Sequence, residues 1–166
     1  RFADFNGDGR TDVLALTFVY ESCPECPGGG FSLPYWSVLV SSGTAGAPTM
    51  TAVQSFAYYE LWDPSLADIN GDGLTDVAYP ASNNWAVRFG SGIGVTSAVS
   101  TSTPVGDVNK AKFVDWDGDG KTDVITSVGG TYYYSRSTGN GFETAVSLGI
   151  PDSTAVAHVK FADVDG

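Results

Sequence analysis

The sequence predicts an all-β protein assembled from repeated four-stranded antiparallel units. Three observations predict it. A nine-residue acidic loop recurs along the chain, aromatic-to-glycine stretches recur at fixed offsets from it, and no window carries a 3.6-residue apolar period. At 166 residues the chain is one domain or a piece of one. Apolar content of 42% and aromatic content of 13% suffice for a packed core.

The loop reads D-x-[DN]-G-D-G-x-T-D. Full copies are Asp4-Phe5-Asn6-Gly7-Asp8-Gly9-Arg10-Thr11-Asp12, Asp68-Ile69-Asn70-Gly71-Asp72-Gly73-Leu74-Thr75-Asp76 and Asp115-Trp116-Asp117-Gly118-Asp119-Gly120-Lys121-Thr122-Asp123. A fourth begins at Asp163-Val164-Asp165-Gly166, where the sequence stops. Oxygen-bearing side chains fall at positions 1, 3, 5 and 9. That is the ligand spacing of a loop wrapped round one hard cation, and Ca²⁺ takes six to eight oxygens. Position 7 (Arg10, Leu74, Lys121) varies, as expected of a residue that offers its backbone carbonyl. The purely structural alternative is an Asp/Gly turn. An EF-hand fits worse, because position 12 is Ala15, Tyr79 or Thr126 instead of Glu, and strand-like segments follow each loop.

The loops start 64, 47 and 48 residues apart. Between them Trp36, Trp85 and Tyr132 each stand seven residues before a glycine (Gly43, Gly92, Gly139). Asp76 to Trp85 and Asp123 to Tyr132 are both nine residues, whereas Asp12 to Trp36 is 24. The first unit therefore carries a 15-residue insertion, within about residues 19–34, whose Pro and Gly content reads as a loop or an extended hairpin. Each unit has a short strand before the loop, expected at residues 110–114 in the third. A strand follows the loop (12–18, 76–79, 123–128), then the aromatic strand, then a polar alternating strand (48–56, 95–101, 142–148).

Four antiparallel strands per repeat make a β-propeller blade. The expected blades are residues 1–61, 62–108 and 109–154, with 155–166 as a stray strand of a fourth. The first blade is expected to lack the strand before Asp4. Three blades are too few for a closed ring. The chain thus reads as a fragment of a longer protein, or as half of a six-bladed ring closed by a homodimer.

Net charge is −11, but ten of the nineteen acids sit in the three full loops. Three divalent ions would cancel six of those charges. Eight scattered Lys and Arg form no basic patch, which excludes a nucleic-acid partner. No apolar run reaches 18 residues, so no membrane span is expected. Cys23 and Cys26 form a C-x-x-C. With no second pair and a single distant histidine, His158, a zinc site fits poorly. A small disulfide in an oxidising compartment and a pair of free thiols remain. No nucleophile motif is present and the carboxylates are committed to metal, so the chain reads as a non-enzyme. Tyr58, Tyr59, Trp62 and the insertion at residues 21–34 are candidate contacts. Blade-to-blade packing is the plainer use of those aromatics, and of Trp36 and Trp85.

The run Phe2-Ala3-Asp4-Phe5-Asn6-Gly7-Asp8-Gly9-Arg10-Thr11-Asp12-Val13 and its fellows resemble the FG-GAP/VCBS repeats. Integrin α-subunit propellers use similar loops, and the phrasing is similar to bacterial secreted proteins such as the Tc-toxin B component and its SpvB-like relatives. The resemblance implies a β-propeller with Ca²⁺ in the first hairpin of each blade. It implies three sites: Asp4, Asn6, Asp8, the Arg10 carbonyl and Asp12; Asp68, Asn70, Asp72, the Leu74 carbonyl and Asp76; and Asp115, Asp117, Asp119, the Lys121 carbonyl and Asp123. At Asp163 and Asp165 the later ligands are missing, and no full site is expected. The chain reads as a secreted scaffold for protein or cell-surface attachment within a larger bacterial protein or toxin, with a glycan-binding propeller or a non-catalytic part of a secreted polysaccharide-active enzyme as the alternative.

Overall fold

A computed structural model describes residues 1–25, 27–44, 47–57 and 63–152. Three four-stranded antiparallel sheets follow one another, each with its strands in sequence order. The first holds β1 (Phe2–Ala3), β2 (Asp12–Ser22), β3 (Gly30–Thr44) and β4 (Ala47–Ala57). The second holds β5 (Ser65–Ala67), β6 (Asp76–Ala81), β7 (Asn84–Arg88) and β8 (Val99–Pro104). The third holds β9 (Lys112–Val114), β10 (Asp123–Val128), β11 (Thr131–Ser135) and β12 (Val146–Pro151). One 3-10 turn at Val108–Lys110 is the helical element among the described residues. The sheets are blades of an unclosed propeller.

Both faces of the middle blade are covered, which explains its unbroken apolar run. Val77 and Tyr79 point towards the first blade and pack with Leu14, Val38 and Phe56. Their neighbour Ala78 points the other way and joins Trp85, Val87, Val124 and Phe142 in a second core. Alternation along a strand thus serves two interfaces at once. Trp85 meets Phe113 edge-on, with centroids 5.1 Å apart. The Arg88 guanidinium lies 4.3 Å from the Phe56 ring centroid and ties the first two blades together.

Three expectations need correction. The first blade does have a strand before Asp4: Phe2 pairs with Val13 and Ala3 with Asp12. It is two residues long, too short to register as a pattern. The fourth strands of the second and third blades begin four residues later than expected. Val95 and Phe142 instead close small loops, bridging Gly90 and Ser137, and bury their side chains as plugs in the core. Thr96 N–H to the Phe89 carbonyl (2.7 Å) and Glu143 N–H to the Arg136 carbonyl (2.8 Å) hold those loops shut. Lastly, the strand before the third loop starts at Lys112, because the 3-10 turn takes up Lys110.

The insertion is the extended hairpin. β2 and β3 pair over ten residues from Val13–Leu39 to Ser22–Gly30, against five pairs in each of the other two blades. The five extra pairs lengthen it by about 17 Å. Tyr58, Tyr59, Trp62, Cys26, His158, Asp163 and Asp165 lie outside the described residues.

Trp85 is the largest fully buried side chain among the described residues. Trp85→Ala should lower the unfolding free energy by about 3–5 kcal/mol, read from denaturant titration.

Candidate metal centres

The three acidic loops join the first two strands of their blades in one shared register. Ala3 pairs with Asp12, Ala67 with Asp76 and Val114 with Asp123. Each loop therefore begins and ends at the same rung. The glycines at positions 4 and 6 all have φ between 73° and 83°, the left-handed region where a side chain is strained. They turn their N–H groups onto the position-1 carboxylate: Gly7 and Gly9 donate to Asp4 at 2.7 and 2.8 Å, Gly71 and Gly73 to Asp68 at 2.8 and 2.9 Å, and Gly118 and Gly120 to Asp115, both at 2.9 Å.

The other acceptors follow the same plan. The position-3 oxygen (Asn6, Asn70, Asp117) accepts from the position-5 N–H at 3.1–3.2 Å. The position-5 carboxylate (Asp8, Asp72, Asp119) accepts from the N–H of Arg10, Leu74 or Lys121 at 2.8–2.9 Å. Position 9 is different. Asp12, Asp76 and Asp123 are fully buried. Each accepts from the position-2 N–H (Phe5 3.0 Å, Ile69 2.7 Å, Trp116 3.0 Å) and from a residue near the end of the aromatic strand, Ser41 within β3 (2.8 Å), Gly90 just past β7 (2.7 Å) and Ser137 just past β11 (2.7 Å). One carboxylate thus ties the loop to the third strand of its blade.

The residues suit a hard cation by donor type, since all are oxygens. Two oxygens on one Ca²⁺ can be at most about 5 Å apart. In the third loop, carboxylate oxygens of Asp115, Asp117 and Asp123 lie within 4.8 Å of one another. Among the described residues this is the grouping of three acids that closes so far. The first two loops carry Asn6 and Asn70 where the third has Asp117, and do not gather three carboxylates to that distance. Asp119 is not in the grouping either. It faces Lys121 Nζ (2.9 Å) and the Arg136 guanidinium (2.8 Å), and Arg136 also pairs with Asp117.

These contacts show in the electrostatics. The hydrogen bond from Lys121 holds Asp119 below the usual carboxylate range. Burial raises Asp123, and raises the Tyr134 hydroxyl that donates to it at 3.1 Å. Burial also pushes Asp76 up to about 6, outweighing the N–H groups of Gly90, Ile69 and Asn70. The sequence pattern did not point to Arg136, Tyr134 or the side chain of Lys121. The available signal was Asp117, an extra acid beside a cation at a position that is Val40 and Phe89 in the other blades.

The loops also hold each other. Thr75 N–H donates to the Asp4 carbonyl (3.1 Å) and Thr122 N–H to the Asp68 carbonyl (2.8 Å). A Cβ on Gly71 would sit 3.0 Å from the Gly120 carbonyl oxygen, so the loops pack at backbone distance.

A family model for the FG-GAP-like repeat matches residues 4–79, 68–126 and 115–166. The chain belongs to that family. No curated protein matches it. A chain in the solved structure of the Photorhabdus luminescens Tc holotoxin pore is similar over 89% of this chain, at 16% identity and a TM-score of 0.38. The match spans 8% of that chain. No helix among the described residues is long and apolar enough to cross a membrane.

The raised Asp76 carboxyl makes a signed prediction. Its folded-state value of about 6 exceeds the ordinary 3.8, so the protonated form favours the fold. That stabilisation is fully present below about pH 4 and is lost as pH rises through about 6, on the order of 3 kcal/mol. In divalent-free buffer, melting temperature should fall across this window. Asp76→Asn should flatten the slope.

Proposed function

We propose that this chain is a calcium-stabilised scaffold segment of a secreted protein, attached to a protein partner through the long hairpin of its first blade. The observation that carries the reading is that hairpin. Phe18, Val19, Tyr20, Phe31 and Leu33 are exposed on it, on a chain whose other large apolar groups mostly pack between blades. By the strand register Val19, Leu33 and Phe31 share one face of the hairpin and Phe18 and Tyr20 the other, and exposed apolar surface of this kind marks an interaction site. Its tip is braced: Cys23 is disulfide-bonded, the sequence holds one other cysteine (Cys26), and Cys23 N–H donates to the Gly29 carbonyl at 3.1 Å. A disulfide fits an oxidising compartment.

The partner it fits is a polypeptide strand. β1 covers the outer edge of β2 at Asp12 and Val13, and the rest of that edge has no strand partner among the described residues. The open stretch Ala15-Leu16-Thr17-Phe18-Val19-Tyr20-Glu21-Ser22 has no Lys or Pro to blunt it. A strand with alternating apolar residues would extend the sheet by backbone hydrogen bonds, and a basic residue would suit Glu21 and Glu25 at the tip. Calcium enters as the clamp on the opposite end of the blade. Each loop carries three or four acids, and in the third Asp115, Asp117 and Asp123 lie close enough to repel one another.

Two measurements test the two halves. Chelation should lower the melting temperature and added Ca²⁺ should restore it. One site at hundredfold excess over its Kd contributes about 2.7 kcal/mol, and an unchanged melting curve would count against the calcium reading. For attachment, labelled chain is applied to cultured cells. The triple variant Phe18→Ser, Tyr20→Ser, Phe31→Ser should lose binding while melting as the parent does. Surface proteolysis of the cells should abolish binding and enzymatic deglycosylation should not. The reverse pattern would make the ligand a glycan.

A further inference from the structure

The three loops share a backbone, yet they are electrostatically unequal. The third has four carboxylates where the first two have three, because Asp117 replaces Asn6 and Asn70. It also holds two internal cations. The Arg136 guanidinium spans Asp117 and Asp119, through Nε to the first at 2.5 Å and through an Nη to the second at 2.8 Å. Lys121 Nζ reaches Asp119 at 2.9 Å. The position of Arg136 is apolar in the other blades, where Val40 and Phe89 pack against the cores. The extra acid and the extra base thus occur together, in the same loop.

Asp117 cannot serve both cations fully. Its carboxylate belongs to the grouping with Asp115 and Asp123 and also to the pair with Arg136. The pair is partly exposed, with Arg136 at 43% and Asp117 at 30% side-chain accessibility, so the arginine has room to leave. We propose that Arg136 is the affinity-setting residue of the third loop: a tethered counter-ion that holds the ion-free loop together and that an incoming divalent cation must displace from Asp117. This rests on the calcium reading of the loops. A ligand shifts an equilibrium only by its differential affinity for the two states. Stabilising the ion-free loop therefore weakens ion binding by the same factor. Among the described residues the first two loops have no such competitor, and they should respond to calcium independently of Arg136.

The third loop carries its own reporter. Trp116 occupies position 2, next to Asp115, where the other loops have Phe5 and Ile69. Terbium, a hard trivalent stand-in for Ca²⁺, should give indole-sensitised luminescence from this loop, and Trp116→Phe should remove it. Titrating terbium, then displacing it with Ca²⁺, gives the loop's affinity in the full chain. Arg136→Gln should tighten binding about tenfold, since charge count tunes such sites, and should lower the melting temperature of the ion-free protein. Arg136→Lys, whose single ammonium cannot fork across two carboxylates, should fall between, and it serves if the glutamine variant does not fold. Unchanged or weaker binding in both variants would overturn the proposal, because an arginine that merely braces the fold would lower stability alone. Absence of sensitised emission from the parent and from every variant that keeps Trp116 would remove the calcium reading of this loop, and the proposal with it.

Discussion

A buried carboxylate at the end of each acidic loop is the constraint on which the rest depends. Asp12, Asp76 and Asp123 are inaccessible to solvent, and each receives backbone N–H groups both from its own loop and from the end of the third strand or just past it. Burying a charge is costly unless it is hydrogen-bonded, and these groups are satisfied by backbone donors whose positions the sheet register dictates. The arrangement works in both directions. The register places the donors, and the carboxylate penalises any slip of the register, because a one-residue shift would leave it buried without partners. The neighbouring apolar residues can then be shared between two blade interfaces without ambiguity about which way each points.

Much of this was legible in the sequence because the repeats are nearly identical where chemistry is strict. The glycines at positions 4 and 6 and the oxygens at 1, 3, 5 and 9 recur because the turn tolerates little else. The family, the blade count and the strand that follows each loop can be read directly from them. The less legible parts are those that depend on what lies across the interface. Val95 and Phe142 look like the first residues of strands, and only the packing of the adjacent blade turns them into plugs. A two-residue strand such as Phe2–Ala3 has no periodicity to detect. The insertion could have been a loop or a hairpin, since Pro and Gly fill its tip in either case.

The repeated backbone conceals a graded chemistry. Position 9 is accounted for by backbone hydrogen bonds in every blade, while positions 3 and 5 vary in charge and in company. Asparagine at position 3 leaves the first two loops with less mutual repulsion. Aspartate there brings three carboxylates together in the third, and two basic side chains with them. One backbone plan thus carries unequal charge from loop to loop without altering the fold. Sequence spacing alone could not reveal this, because Arg136 is distant along the chain and comes near only through the strand pairing of its blade.

The placement of the long hairpin divides the molecule into two rims with different freedoms. The acidic loops all lie on one rim, where threonine N–H groups link each loop to the one before it. A change of length there would break a staircase that runs from blade to blade. The turn between the second and third strands lies at the opposite end of each sheet and, among the described residues, bears no such inter-blade backbone hydrogen bond in the first blade. Fifteen residues have been added at that end with the shared register at the other intact. The chain thus keeps an edge where all three loops have the same length and an edge that can grow, and additions in this architecture have somewhere to accumulate without disturbing the shared register.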